Sequence, residues 1–289
     1  MAGSSYGALL DAVRGVRWPA RRRVAGAVTG AHQSRARGTT AEFSEFRAYR
    51  QGDDPRRLDW KLLARSDRAY VRLATERAVL PTTIIVDASS SMAFPHRTHD
   101  KWRLARELAV ALAAVAHASG DPVGVIVAGM EGGLSQLAPR SRRGVVAEIA
   151  RVLDRVTPRG TAPIAQAISV ARTARIAILS DLLGDADAML RAATIHLAAG
   201  GEVHVAHVIA EAELRPGGGS HLVRDPESVG EERFLGEETR AVYVERFGSW
   251  RRELARGWRA AGAAYSEVVT DEAASRIVRR LATPQAATG

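Results

Sequence analysis

The chain has no cysteine among its 289 residues, which excludes disulfides and thiolate metal sites and fits a reducing compartment. No apolar run approaches the roughly 18–20 residues that a membrane-spanning helix needs. The N-terminus, interrupted by Asp11 and Arg14, lacks the apolar core of a signal peptide. A soluble, cytoplasmic protein is the expectation. Catalytic signatures are missing too. The strand end at Asp87 carries no Gly-x-Ser-x-Gly elbow and no Asp-x-Asp phosphotransfer pair, because Ser89 stands where the second acid would be, and the sequence holds no P-loop lysine.

Acid is also short at one end. Residues 1–78 carry 16 Lys/Arg against 8 Asp/Glu, a net of +8, whereas residues 79–289 carry 25 against 24, a net of +1. The basic field therefore belongs to the N-terminal quarter and favours acidic partners. Arg21-Arg22-Arg23 beside Trp18 is a weak nucleic-acid signal, since stacking platforms interleave several aromatics with basic residues.

What is present divides the chain at about residue 78. Residues 1–78 read as a basic extension, β-rich from about 40, with strands around Phe46–Ala48 and Tyr70-Val71 on either side of a turn, Gly52-Asp53-Asp54-Pro55. Around that turn Arg56, Arg57 and Arg65 are placed to fork onto Asp53, Asp54 or Asp59. Residues 79–289 alternate strands with helices, the pattern of βαβ units and a mainly parallel sheet. Strands are predicted at Thr82–Val86, Val123–Val127, Leu134–Leu137, Ile176–Leu179, Glu202–Ile209 and Tyr265–Val269. Helices are predicted at about Lys101–Ser119, Arg142–Val156, Ala162–Arg172, Asp185–Ala199, Glu237–Ala261 and Asp271–Leu281, with a small hairpin at His221–Val223 and Arg233–Leu235. In the first helix Leu104, Leu108, Leu112 and Val115 repeat at three to four residues, so one face covers the sheet.

The chemistry gathers at Asp87-Ala88-Ser89-Ser90-Ser91, directly after the apolar run Ile84-Ile85-Val86. Open α/β sheets bind ligands outside the carboxyl ends of their strands, and this loop aims three oxygens there. Thr161, after Gly160 at a predicted helix start, and Asp181, at the end of a later strand, complete a candidate set of hard oxygen donors suited to Mg²⁺ or Mn²⁺. Taken singly, Thr161 reads as an N-cap and Asp181 as a turn former. Five such positions in this order, on these elements, point to a divalent site. His204 and His207, three apart on one strand, face opposite sides of the sheet, and the Trp250/Trp258 stripe reads as packing.

The pattern Asp-x-Ser-x-Ser, then a separated Thr and a separated Asp, resembles the metal-ion-dependent adhesion site of von Willebrand factor A domains. The resemblance implies that Ser89, Ser91 and Thr161 contact the metal directly. Asp87 and Asp181 act directly or through water, and a carboxylate of a partner completes the coordination. One departure is Leu182 after Asp181, where many relatives have Gly. Upstream, Phe43–Tyr49, the run from Gly52 to Trp60 and Ala64-Arg65 closely resemble the bacterial domain of unknown function 58 family. Members are typically encoded beside MoxR-type AAA+ ATPases. The resemblance implies a von Willebrand factor A-like doubly wound sheet and a non-catalytic, Mg²⁺-dependent adaptor or chaperone-like protein. Its partners would be such an ATPase and a client protein, with Asp53, Asp54, Arg56, Asp59, Trp60 and Arg65 as a structural or partner segment. The competing readings are a metal-dependent hydrolase, for which no general base is evident beside the serines, and a nucleic-acid binder using the basic N-terminal segment.

Overall fold

A computed structural model describes residues 6–21, 42–51, 53, 55, 58–66, 68–75, 79–129, 133–217, 221–224, 232–235 and 237–283. Two compact units emerge, Val24–Val79 and a larger one in which Met1–Arg23 joins Leu80–Gly289.

In the smaller unit, β1 (Glu42–Ala48) pairs antiparallel with β2 (Tyr70–Thr75), the two strands expected on either side of the turn. Between them lies α2 (Trp60–Ser66), the larger unit having contributed α1 (Gly7–Ala12). Asp59 caps α2, its Oδ1 accepting from the backbone N–H groups of Lys61 and Leu62 at 3.0 Å each. Asp53 accepts from Arg47 Nη2 at 2.7 Å and from the Arg50 N–H at 2.8 Å, so its carboxyl sits below the usual range, chiefly through Arg47. Among the described residues, Asp53 thus pairs with Arg47, from the strand side of the turn. Arg65 lies exposed in the last turn of α2, and Trp60 is 64% exposed. Gly52, Asp54, Arg56 and Arg57 lie outside the described residues.

The larger unit is built on six strands: β3 (Thr82–Ala88), β4 (Val123–Gly129), β5 (Gly133–Arg140), β6 (Arg175–Ser180), β7 (Glu202–Ile209) and β10 (Ala264–Val269). Their order is β10-β7-β6-β3-β4-β5, parallel except for β5 at the edge. This is the doubly wound, mainly parallel α/β sheet that the sequence implies. Every residue of β3, β4, β6 and β7 is buried, which is why these strands read as continuous apolar runs rather than alternating ones.

One face, carrying Ile84, Val86 and Ala88, is covered by α3 (Asp100–Ala118), α4 (Val145–Asp154) and α9 (Ala274–Ala282). The other face, with Ile85, Ile126 and Ile178, is covered by α5 (Ile164–Val170), α6 (Ala186–Ala198) and α8 (Glu237–Ala260), where Trp258 is buried. A short helix α7 (Glu211–Leu214) follows β7, and the small hairpin is β8 (His221–Arg224) with β9 (Glu232–Leu235).

Some helix starts differ from the periodicity. The helix expected from Ala162 begins at Ile164, because Pro163 disfavours an α conformation in the residue before it. The terminal helix begins at Ala274 rather than Asp271. Glu272 accepts from the Val269 N–H at 3.1 Å and pins a turn there first. The helix expected from Arg142 starts at Val145, after Gly144 at φ +88°.

At the base of the sheet, fully buried Arg175 holds the N-terminal segment. Its guanidinium donates to the Trp18 carbonyl at 3.0 Å, lies 4.4 Å from the Trp18 ring centroid, and pairs with Glu202 at 3.2 Å. The sheet centre is equally tight near the other end. Gly129 has φ +140°, and a Cβ there would lie 2.7 Å from the Ala88 carbonyl oxygen. Gly129→Ala is therefore expected to destabilise the chain by roughly 2–4 kcal/mol through backbone strain and overpacking. Gly7→Ala, where a Cβ meets nothing within 4 Å, should change the melting temperature little; equal melting curves for the two variants would refute this account of β3–β4 packing.

Candidate functional site

The sheet order reverses direction between β3 and β6, and these two strands deliver the acids. Parallel pairing in the register Val86 to Leu179 brings Asp87 and Ser180 out side by side at the carboxyl ends. Ser180 Oγ donates to Asp87 Oδ2 at 2.5 Å and accepts from the Leu182 N–H at 2.9 Å. The other Asp87 oxygen accepts from the Ser89 N–H at 2.8 Å. Beyond it the chain makes a tight turn, Ser90–Ala93, which brings Ser89 Oγ and Ser91 Oγ within 2.9 Å of each other. Asp87, Ser89, Ser91 and Asp181 are all buried.

The loop that carries Thr161 is stitched to the same strand end. The Arg159 N–H donates to the Ala88 carbonyl and the Ser90 N–H to the Gly160 carbonyl, each at 2.9 Å. Thr161 itself lies three residues ahead of α5, not at its cap, and its side chain is exposed. Four of the five sequence-derived positions are thus buried at the ends of β3 and β6, and the fifth sits on the water side of an attached loop.

Three residues at the site were not assigned a role from the sequence. Ser180 positions Asp87. Lys101, in the first turn of α3 and only 1% exposed, pairs with Asp181 Oδ2 at 3.0 Å and with Glu213 Oε1 at 2.5 Å. Glu213 lies on α7, where its second oxygen accepts from the Ala210 N–H at 2.7 Å. A signal for Lys101 existed, because it continues the apolar stripe Leu104–Leu108–Leu112 one turn back, and a lysine on a core-facing stripe needs a buried partner. Glu213, on a four-residue helix, carries no periodic signal.

Leu182, where the resemblance favours Gly, takes φ +58°, a left-handed conformation costly for a branched side chain. Its burial at 1% exposure against the second core face offsets that cost.

The electrostatics follow from burial. Desolvation, then the neighbouring charge of Asp181, pushes the Asp87 carboxyl up to about 7 despite hydrogen bonds from Ser180 and Ser89. Burial pulls the Lys101 ammonium down, but Asp181 and Glu213 more than offset this and hold it above its usual value. Glu213 is raised, burial outweighing Lys101. His207, pushed down to about 3 by burial, hydrogen-bonds Tyr265 Oη at 2.5 Å. His204 lies on the opposite face beside Trp18.

The donor set fits a small divalent ion. The two serine hydroxyls hydrogen-bond to each other at 2.9 Å, a separation that adjacent oxygens around an octahedral ion at about 2.0–2.1 Å would also have. The raised Asp87 carboxyl beside Asp181 marks acid that Lys101, bound to Asp181, does not fully offset. Among the described residues no cluster of three His, Asp or Glu side chains forms a metal centre, so any such ion would rely on the hydroxyls.

The raised Asp87 pKa has a stability consequence in chelator-treated protein. Its folded value exceeds the unfolded one, so the folded state binds the extra proton between about pH 4 and 7. Stability is then highest below that window and falls as pH rises through it. The Asp87 share is expected at roughly 2–4 kcal/mol, or about 1.4 kcal/mol per unit. Urea unfolding in EDTA at pH 5 and 7.5 should show this loss in the wild type and a clearly smaller one in Asp87→Asn; equal losses would reject it.

The family described as "Protein of unknown function DUF58" matches residues 45–252. The uncharacterized protein Rv1480 of Mycobacterium tuberculosis is 27% identical over 276 residues, 91% of this chain and 85% of its own length. Among solved structures, an aerotolerance-related membrane protein from Bacteroides fragilis is 18% identical with a TM-score of 0.44, covering 71% of this chain and 96% of its own. BatB from Bacteroides thetaiotaomicron is 16% identical with a TM-score of 0.42, covering 70% and 96%. No helix among the described residues is long and apolar enough to cross a membrane. With its model matched across most of the chain, the DUF58 family is the one to which this protein belongs.

Proposed function

We propose that the chain is a protein-binding adaptor whose working surface is the crevice at the carboxyl ends of β3 and β6, used with Mg²⁺ or Mn²⁺. The observation that carries this reading is the pair of hydroxyls, Ser89 Oγ and Ser91 Oγ, 2.9 Å apart between two buried carboxylates. Ser89 and Ser91 would hold the ion directly, Asp87 and Asp181 would balance its charge, and Thr161 would approach from the loop. A divalent ion held largely by neutral hydroxyls supplies an electrophilic position able to accept a carboxylate from a partner. The protein's own residues do the rest. Ser180 and the Ser89 N–H fix Asp87, and Lys101 fixes Asp181. The stitched loop keeps Thr161 on the open side. The family resemblance is the ground for naming a MoxR-type AAA+ ATPase as partner, and the basic N-terminal quarter would add attraction toward acidic faces.

At Mg²⁺ a hundredfold above its dissociation constant, binding should stabilise the fold by about 2.7 kcal/mol and raise the melting temperature by roughly 5–10 °C relative to EDTA. Asp87→Ala should abolish the shift. The purified MoxR-type ATPase of the same organism should be retained by the immobilised chain in Mg²⁺ and released by EDTA. A melting curve indifferent to Mg²⁺ overturns the metal-dependent reading, and ion-independent retention overturns the role of the crevice.

A further inference from the structure

Two carboxylates and one ammonium are buried around this crevice, Asp87, Asp181 and Lys101, and a third acid, the half-buried Glu213, reaches the ammonium from its edge. Lys101 is not a surface cation that happens to reach inward. It starts a core helix, is 1% exposed, and lies within ion-pair distance of two acids on two different elements. Asp181 follows β6, while Glu213 sits on α7 after β7. The lysine offers no hydrogen-bond acceptor, so it cannot ligate a metal while charged. Its effect on an ion in the crevice is electrostatic, and it holds Asp181 by Oδ2 while the Leu183 N–H donates to Oδ1 at 3.3 Å.

We propose that Lys101 sets the valence of the cation the crevice accepts. The inference rests on the divalent-ion reading above. Ionised, the three acids carry −3 and Lys101 returns the cluster to −2, the charge a divalent ion neutralises. Glu213 is the acid that holds the ammonium in place, so Lys101 and Glu213 form an internally neutral pair and leave Asp87 and Asp181 to face the ion. Without the lysine, the cluster favours higher positive charge. Without Glu213, the surplus ammonium opposes any cation.

The test compares Mg²⁺ with the trivalent Tb³⁺ by isothermal titration calorimetry of the full chain at pH 8. The variants are Lys101→Met, Glu213→Gln and the double variant, each checked for folding by circular dichroism. One unit charge a few ångströms from the ion, at an effective dielectric constant of about 20, changes the preference between a trivalent and a divalent ion by at least about tenfold. Lys101→Met should raise the Tb³⁺:Mg²⁺ affinity ratio by that factor, and Glu213→Gln should lower it similarly. The double variant, restored to −2, should return to the wild-type ratio. A purely packing role for Lys101 would weaken both ions together and would not be rescued by removing Glu213. If Lys101→Met fails to fold, the opposite shift in Glu213→Gln and the wild-type ratio in the double variant carry the proposal. Wild type that binds Mg²⁺ while the ratio stays constant across the folded variants overturns the valence role and leaves the divalent site standing. Wild type that binds neither ion removes both.

Discussion

Charges buried at the end of an apolar sheet must be neutralised or hydrogen-bonded where they stand, because taking an isolated ion out of water costs several kcal/mol. That constraint organises the carboxyl end of this sheet. Asp87 leaves a fully buried strand and finds Ser180 and the Ser89 N–H. Asp181 leaves the next strand and finds Lys101. The lysine must in turn reach a second acid, which fixes α7 beside the start of α3. Four chain segments far apart in sequence are thereby held at one point, and the register of β3 against β6 is the geometric condition for all of it.

The opposite end of the sheet solves a similar problem with a different result. Arg175 is buried between Glu202 at 3.2 Å and Asp121 at 3.7 Å. Its Nη2 donates to the Trp18 carbonyl, and Glu202 accepts from the Arg21 N–H at 2.5 Å. These contacts tie residues 18–21 to the strand starts. They explain why the first part of a basic, polar N-terminal segment folds with the sheet. The arginine at the base reaches two acids and a carbonyl, whereas at the carboxyl end a single ammonium pairs with Asp181 and Glu213 while Asp87 beside them is held by hydroxyl and N–H donors. Ligand crevices of open α/β sheets lie at the carboxyl ends, so the surplus of acid lies where a cation can be used.

Much of this was legible in the sequence. Fully buried parallel strands announce themselves as short apolar runs between helical periodicities. Asp87, Ser89, Ser91 and Asp181 could be placed because each lies next to such a run. Asp185, where the fourth helix is predicted to begin, is of a type that favours caps, and its side chain accepts from the Ala188 N–H at 2.8 Å. The rest was hidden for physical reasons. The partnership of Lys101 with Asp181 spans 80 positions, and local pattern carries no information about which distant acid neutralises a lysine. Thr161 was misplaced because Pro163 delays the helix through a steric effect on its predecessor. The left-handed turn at Leu182 runs against its residue type, so propensity pointed elsewhere.

The departures from local preference are not scattered. Among the described residues, the two non-glycines with positive φ are His99 and Leu182; one lies two residues before Lys101 and the other directly after Asp181. Gly129 presses against Ala88, the residue that follows Asp87. The buried lysine and the carboxylate held near neutral belong to the same few ångströms of structure. Each is a local cost of order 1–3 kcal/mol that the surrounding packing must offset. A sequence under selection for stability alone has cheaper choices at these positions: glycine for Leu182, an apolar residue for Lys101, an amide for Asp87. Non-glycine backbone strain gathered beside a raised carboxyl and a buried lysine at one strand end is the distribution expected when a site is maintained for binding rather than for folding.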